Sequence, residues 1–440
     1  MEIYETAKMV LSEAKKCGAT GARVAASETH SYSVELEQGN VRPQVNHGRN
    51  MILVVYVGER TAMVQSLTTT EAGLKRIALK AVEMARASME DPFARLSEEI
   101  LWPKDMERLR RQIDKVDLSP MPSLVELTQY TRALEDAVMS QKGITKTESV
   151  SAGVRHGRSV LMTSKGFVGF GENTGYGLSI DAVAGDGDHM VQGSDGDLKT
   201  HRSDLRSPMA VGLLAAERAL MRLGSSSFAG GRMPVVFDRR SSNSIIGSLI
   251  AATFGSNVFS DNSFLKEYLG KRICSEMITI ADNPFIPRMG NSRMYDGEAV
   301  ASRYTPVVMG GILQMWLTSL ESSGQLNVPE TGHSGNRLAN VVVSNGVLTR
   351  EELISDISQG LLVTATLGHG ANITTGDYSC GAEGFLIQNG KVARPVDEMT
   401  IAGNLLEMFS TMCPANDRDA SLSFSAPSMR IENMMVAGKN

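Results

Sequence analysis

Apolar positions recur at helical spacing at the start of the chain: Ile3, Ala7, Val10, Leu11 and Ala14 share one face. Gly18 stands where a C-terminal cap belongs. Strands follow. Tyr32, Val34 and Leu36 alternate, Gln38-Gly39-Asn40 reads as a turn, 51–57 is a continuous apolar run, and Gly58-Glu59 turns it into 61–66. Thr68-Thr69-Thr70-Glu71 has the form of a capping box and opens a helix with Leu74, Ile77, Ala78, Ala81, Val82 and Ala85 on one face.

The pattern breaks over 88–122, where Pro92, Pro103, Pro120 and Pro122 punctuate a charged stretch of mixed sign, the signature of a solvated linker. Ser123-Leu124-Val125-Glu126 is a second capping box, opening a helix with Leu127, Leu134, Ala137 and Val138. A β-rich stretch over 143–193 carries turn signals at His156-Gly157, Lys165-Gly166 and Asp186-Gly187. Ser207-Pro208 starts another helix, with Gly224 beyond its end, and 225–231 reads as a linker. The second half restarts with a strand at 234–237 and a helix over 242–254. Ile245, Ile246, Leu249, Ile250 and Thr253 form its buried face; Gly247, Ser248, Ala251 and Ala252 make a small-residue face. Hairpins are expected at Gly310-Gly311 and Asn389-Gly390, a third capping box at Thr349–Glu352, a closing helix near 401–412 and a last strand over 427–431.

These elements predict an α+β protein: an N-terminal half with a helix-flanked antiparallel sheet and a β-rich C-terminal half with a few helices. Three units are expected: an α+β domain over 1–87, a linker plus middle α+β domain over 88–224, and a β-rich domain over 225–440.

Composition narrows the function classes. With 440 residues, 42% hydrophobic and 21% charged, the chain has a globular make-up and enough length for large cores. Forty-four basic residues against 49 acidic give a net charge of −5, so no positive field favours nucleic acid. Cys17, Cys274, Cys380 and Cys413 are far apart and include no C-x-x-C pair, which excludes a disulfide scaffold and a zinc ribbon. No secretory signal pattern and no long apolar run is present, so the expectation is a cytoplasmic protein with no membrane contact.

Phosphate-binding glycine loops and the G-x-S-x-G nucleophile elbow are both missing. The seven histidines never stand four residues apart, and the aspartates between 181 and 197 lack the spacing of a calcium loop. The best local cluster is Gly368-His369-Gly370 followed by Asp377, Tyr378 and Cys380. Cys380 with His369 fits an activated thiol nucleophile; tight glycine corners around a small buried Cys fit the same residues.

From about residue 230 onward the chain resembles the TldD/PmbA family, on its PmbA (TldE) branch. The resemblance rests on 234–238 (Pro-Val-Val-Phe-Asp), Ser263-Phe264-Leu265-Lys266, 278–284, Asp296-Gly297-Glu298, Thr331-Gly332-His333 and 375–379 (Thr-Gly-Asp-Tyr-Ser). It continues through 400–406, Pro414-Ala415-Asn416-Asp417 and 426–431. The family implies a cytoplasmic peptidase system acting on unfolded or small peptides, including peptide maturation. Its zinc-bearing subunit holds the metal through H-E-x-x-x-H on a helix plus a C-terminal Cys. Paired histidines on one helical face fix the metal, which acidifies a bound water. Here Gly247, Ser248 and Ala252 occupy the three motif positions. Cys413 precedes Asn416-Asp417, whereas the ligand Cys follows the matching pair, so Cys413 is expected to be structural.

The resemblance therefore implies a metal-free, non-catalytic subunit that pairs with a zinc-bearing TldD-like paralogue and helps present unfolded peptide. Asn372, Gly376, Asp377 and Tyr378 are the expected peptide-contacting residues, and no metal is expected in this chain. Two alternatives stand beside it: a homodimeric peptide-binding protein without a peptidase partner, and an autonomous hydrolase using Cys380 and His369.

Overall fold

The computed structural model describes residues 2–37, 39–368 and 370–438, so Gln38 of the expected first turn and His369 of the expected thiol site lie outside the described residues. The first apolar stripe folds as α1 (Ile3–Lys16), followed by a meander of β1 (Gly21–Glu37), β2 (Asn40–Val57) and β3 (Arg60–Ser66), then α2 (Glu71–Ala87). Thr70 rather than Thr68 caps α2, accepting the Gly73 N–H at 3.2 Å.

The stretch 88–122 is not a solvated linker. It holds α3 (Met106–Ile113), and Leu96, Ser97 and Ile113 are buried. Trp102 meets Phe167 edge-on at 5.4 Å, and Phe167 meets Tyr295 of the second half at 5.1 Å. Arg95 pairs with Glu330 at 2.7 Å, and Asp114 pairs with Arg288 at 2.8 Å. Arg95 and Asp114 thus reach partners across the seam between the two halves, which makes the segment a strap. Local composition carries no trace of such distant partners.

α4 (Leu124–Met139) begins with the expected capping box, both Ser123–Glu126 bonds present. β4 (Ile144–Thr163), β5 (Val168–Ala184) and β6 (Val191–Lys199) complete a six-stranded antiparallel sheet in the order β3-β2-β1-β4-β5-β6, and α5 (Pro208–Leu220) follows. The expected turn at His156-Gly157 is absent; both lie mid-strand in β4. A Cβ on Gly157 would stand 2.6 Å from Asn173 Oδ1, so this glycine marks a close approach, not a bend. Because β1 pairs with both β2 and β4, one sheet runs through residues on either side of position 88.

One face of this sheet carries two helix pairs. α1 and α2 bury Ala22, Val24, Ala26, Leu53 and Val55, while α4 and α5 bury Val34, Leu36, Leu178 and Ile180. The opposite face carries no helix pair; around Leu161 it meets Trp102 and Met106 of the strap, and elsewhere it turns toward the second half.

That half opens with β7 (Gly231–Phe237), α6 (Ser242–Ala252) and α7 (Gly255–Phe259). A small sheet follows from β8 (Ile280–Asp282), β9 (Thr305–Met309), β10 (Ile312–Leu313), β11 (Val341–Val343) and the late β16 (Phe424–Ser425), with α8 (Leu320–Leu326) and the Thr349-capped α9 (Arg350–Ile354) beside it. The last sheet joins β7 to β12 (Gln359–Leu367), β13 (Asp377–Gln388), β14 (Lys391–Asn404), β15 (Cys413–Pro414) and β17 (Met429–Ala437). β14 also pairs with β17, which closes five of these strands into a ring. Both expected hairpins form, β9–β10 and β13–β14. The closing helix is short, α10 (Leu405–Ser410), because Ile401 sits in the ladder opposite Cys380. With 26% helix and 38% strand in antiparallel sheets, the class is α+β.

Candidate functional site

The main cavity, about 1030 Å³, lies between this opposite face of the first sheet and the 287–291 and 421–423 loops of the second half. Its floor is small and polar: Ser31 and Ser33 of β1, Ser151 and Gly153 of β4, and Gly175, Gly177 and Ser179 of β5. In register, Ser33, Gly153, Gly177 and Leu198 stand side by side across four strands. Such a floor lets another backbone approach closely. The signal was present in the sequence as small residues alternating with apolar ones, as in Gly175-Tyr176-Gly177-Leu178-Ser179-Ile180. The apolar partners face the helices, the small ones the cleft.

The cleft is electropositive at one side. Arg155 on its floor is exposed and has no carboxylate in ion-pair range among the described residues. Nearby, Lys115 donates to the Ser292 carbonyl at 2.9 Å, and burial followed by the charges of Arg155, Arg293 and Arg337 pushes its pKa down to about 8. Strand addition at the β6 edge is closed. Arg222, Arg218 and Arg206 donate to the carbonyls of Gln192, Ser194 and Gly196 at 2.8, 2.8 and 2.6 Å. The 40–50 portion of β2 is the open edge, since β3 covers only 51–57.

α6 carries the three positions at which a zinc motif would sit. Its inner face, Ile245, Ile246, Leu249 and Ile250, packs into the large core of the second half. A Cβ on Gly247 would meet nothing within 4 Å, so that position faces open space. The Ser248 hydroxyl donates to the Ser244 carbonyl at 3.0 Å, and Ala252 is buried, its carbonyl accepting from Ser263 at 2.6 Å. Glycine and alanine supply no ligand atom and the serine hydroxyl is committed to the helix, so these residues do not fit a zinc ion. Cys413 in β15 is half-buried 4.0 Å from the Met277 sulfur, and burial raises its pKa.

The remaining motif residues hold the scaffold. Asp296 accepts the N–H groups of Glu298, Val300 and Ser334, and Glu298 reaches across to Arg23 at the start of β1. Thr331, His333 and Asp282 form a hydroxyl–imidazole–carboxylate chain, at 2.9 and 3.0 Å, with the connectivity of a catalytic triad. All three are at most 4% exposed and Asp282 is further tied to the Ala339 N–H, so no substrate reaches them.

Cys380 lies inside the closed sheet, its Sγ donating to Tyr378 Oη at 3.1 Å. Burial raises the pKa of both groups, an environment that disfavours the thiolate a nucleophile requires. Asn372, Gly376 and Asp377 build one turn: Asn372 Oδ1 accepts the Thr374 and Thr375 N–H groups, and the Thr375 hydroxyl donates to Asp377. Gly376, at φ 82°, takes the left-handed corner. Asn372 and Asp377 are exposed, whereas Gly376 and Tyr378 are buried.

The arrangement is a ligand-free helix beside a two-lobed scaffold with an open, backbone-accessible cleft, and its matched domains define the class as a metallopeptidase family. The model for the PmbA/TldA metallopeptidase central domain matches residues 117–223, and that for the C-terminal domain matches 230–438. The chain belongs to the PmbA/TldD metallopeptidase family. It is similar to Metalloprotease PmbA of Escherichia coli, with 30% identity over 440 residues covering 100% of this chain and 97% of the relative. A Metalloprotease PmbA homolog of Haemophilus influenzae is 26% identical over 99% of this chain and 96% of its own. The same fold is seen in a Bacteroides thetaiotaomicron protein labelled a modulator of DNA gyrase (TM-score 0.91, 24% identity, 99% of each chain). It is seen again in TldE of Thermococcus kodakarensis (TM-score 0.80, 18% identity, 98% of this chain and 100% of that one). Among the described residues, no helix is long and apolar enough to cross a membrane.

Proposed function

We propose that this chain is the non-catalytic half of a two-component metallopeptidase, pairing with a zinc-bearing TldD-like paralogue that cleaves unfolded protein and matures peptides in the cytoplasm. The observation that carries the reading is α6: a helix whose buried face is intact while Gly247, Ser248 and Ala252 offer zinc nothing. Zinc in this reading belongs to the partner, where it would acidify a water for attack on the peptide bond. This chain's own contribution is to hold substrate. The serine- and glycine-lined cleft accepts an extended backbone with little regard for side chains, and the open 40–50 edge of β2 offers sequence-tolerant strand addition. Arg155 supplies an unneutralised cation for acidic side chains or a terminal carboxylate.

The test is reconstitution. The purified chain mixed with a TldD-like paralogue from the same source should form a complex and cleave an unfolded substrate, with activity lost on chelation and absent from this chain alone. Failure to associate at micromolar concentrations, or chelator-sensitive cleavage by this chain by itself, overturns the reading.

A further inference from the structure

Between the two helix pairs, one strip of the first sheet's helical face is left bare. α1 and α2 end their cover at Ala26, and α4 and α5 begin theirs at Val34. The uncovered residues between, on the same face of β1, are Glu28 and His30, while Tyr32 packs half-buried at the margin of the α4–α5 core. Strand register does there what sequence spacing does not. His47 of β2 stands directly opposite His30, and His156 of β4 stands opposite His30 on its other side. Three of the chain's seven histidines thus form one row across three strands. The His30 and His47 rings lie stacked, 4.0 Å between centroids and 19° from parallel. Glu28 Oε2 is 3.8 Å from His47 Nε2, and one ligand atom each from Glu28, His30 and His47 falls within 4.8 Å of the others.

We propose that Glu28, His30 and His47 bind a divalent transition-metal ion that prefers imidazole, with zinc as its probe. Bonds of about 2.0–2.2 Å to nitrogen and oxygen place tetrahedral donors about 3.3 Å apart, so each donor moves about 1 Å and the stacked rings swing out of parallel to aim both in-plane lone pairs at one ion. Two imidazoles and one carboxylate suit zinc, copper or nickel and leave a coordination position open to water. Both histidines are exposed, so an ion reaches them from solvent.

The charged neighbours come from every strand in the strip. Arg49 lies 3.4 Å from Glu28, while Arg158 and His156 share Glu172 at 3.4 and 2.8 Å. Two carboxylates balance two guanidinium groups, so the strip does not repel a cation. Glu28 must turn from Arg49 to bind one, which limits affinity. His156, held by Glu172, is a neighbour of the site and not one of its ligands. A bound ion would tie β1 to the stretch of β2 that has no other strand beside it. This inference stands independently of the proposed pairing with a zinc-bearing partner.

The test is a zinc titration of the full, chelator-stripped chain against a chromophoric competitor at about pH 7.5. One zinc should bind per chain. His47→Gln and His30→Gln should each weaken binding at least about tenfold, and His156→Gln should weaken it less than either. Ser248→Ala on α6 and Cys413→Ser in β15 should leave it unchanged. No binding at about 100 μM free zinc, or equal affinity in the His30→Gln/His47→Gln double variant, overturns the proposal. Binding that survives the double variant but is lost with Cys413→Ser also overturns it, and sinks the metal-free reading of α6 at the same time.

Discussion

Replacing Lys115 with methionine removes an ammonium that is largely withdrawn from water and that no carboxylate neutralises among the described residues. Burial first, then the positive charges of Arg155, Arg293 and Arg337, bring its pKa from the ordinary 10.5 down to about 8. At about 1.4 kcal/mol per pH unit, keeping that proton in the folded chain costs about 3 kcal/mol relative to the unfolded chain. Lys115 Nζ also donates to the Ser292 carbonyl at 2.9 Å. Losing that bond takes back about 1 kcal/mol, so Lys115→Met should gain about 2 kcal/mol at neutral pH. For a chain of 440 residues, with an unfolding entropy of about 0.9 kcal/mol/K, this is a rise of about 2 °C in Tm.

The sign reverses with pH. Because the folded pKa is depressed, the penalty is complete below about pH 8 and fades as the pH climbs toward 10.5, where the unfolded chain also gives up its proton. Native stability therefore rises relative to the variant across that window. Above it only the lost hydrogen bond separates the two, and Lys115→Met should melt about 1 °C lower. Other groups titrate alike in both proteins and cancel in the difference. Calorimetric scans of both proteins at the two ends of the window measure it. A shift of the same size and sign at both ends, or a loss at neutral pH, refutes the burial argument.

Two further substitutions separate scaffold from cleft. A Cβ at Gly177 would sit 3.7 Å from Leu198, an ordinary contact, so Gly177→Val should leave stability equal or raise it by about 0.5–1 kcal/mol. It nevertheless raises the cleft floor, and binding of a fluorescent unfolded peptide, read by anisotropy, should weaken about tenfold; unchanged binding would place the peptide elsewhere. Leu249→Ala, on the fully buried face of α6, should cost about 3 kcal/mol in a denaturant titration, and a cost below about 1 would mean the helix is not packed as described.

What could be read from the sequence was local. The Ser123–Glu126 and Thr349–Glu352 capping boxes, the Pro208 helix start and the Asn389-Gly390 hairpin all formed, because each is decided by residues within a few positions of one another. What escaped depends on register. His30, His47 and His156 lie 17 and 126 positions apart, counted 30 to 47 and 30 to 156, and meet only because β1 pairs with β2 on one side and β4 on the other. The 88–122 strap escaped for the same reason: the partners of Arg95 and Asp114 are Glu330 and Arg288. Gly157 misled in the opposite direction, since a glycine needed for close strand approach looks in sequence like one needed for a turn.

The same distinction bears on how α6 can keep its place in the fold while its three zinc-motif positions hold no ligand. In α6 the contacts that hold the helix, from Ile245, Ile246, Leu249 and Ile250, lie on its inner face. Gly247 faces open space, and the Ser248 hydroxyl is satisfied within the helix itself. The fold therefore draws its stability from one face and places no demand on the first two motif positions. Helix propensity sharpens the point, since a glycine inside a helix costs about 1 kcal/mol relative to alanine and Gly247 returns no packing for that cost. A helix retained for stability alone has no use for such a residue; a helix flanking a path for substrate or a partner surface does, because its bare backbone keeps that path clear. Gly247→Ala should then stabilise the isolated chain by several tenths of a kcal/mol in a denaturant titration while leaving its fold intact; under the proposed pairing, Gly247→Phe should fold equally well yet fail to reconstitute cleavage with a TldD-like paralogue.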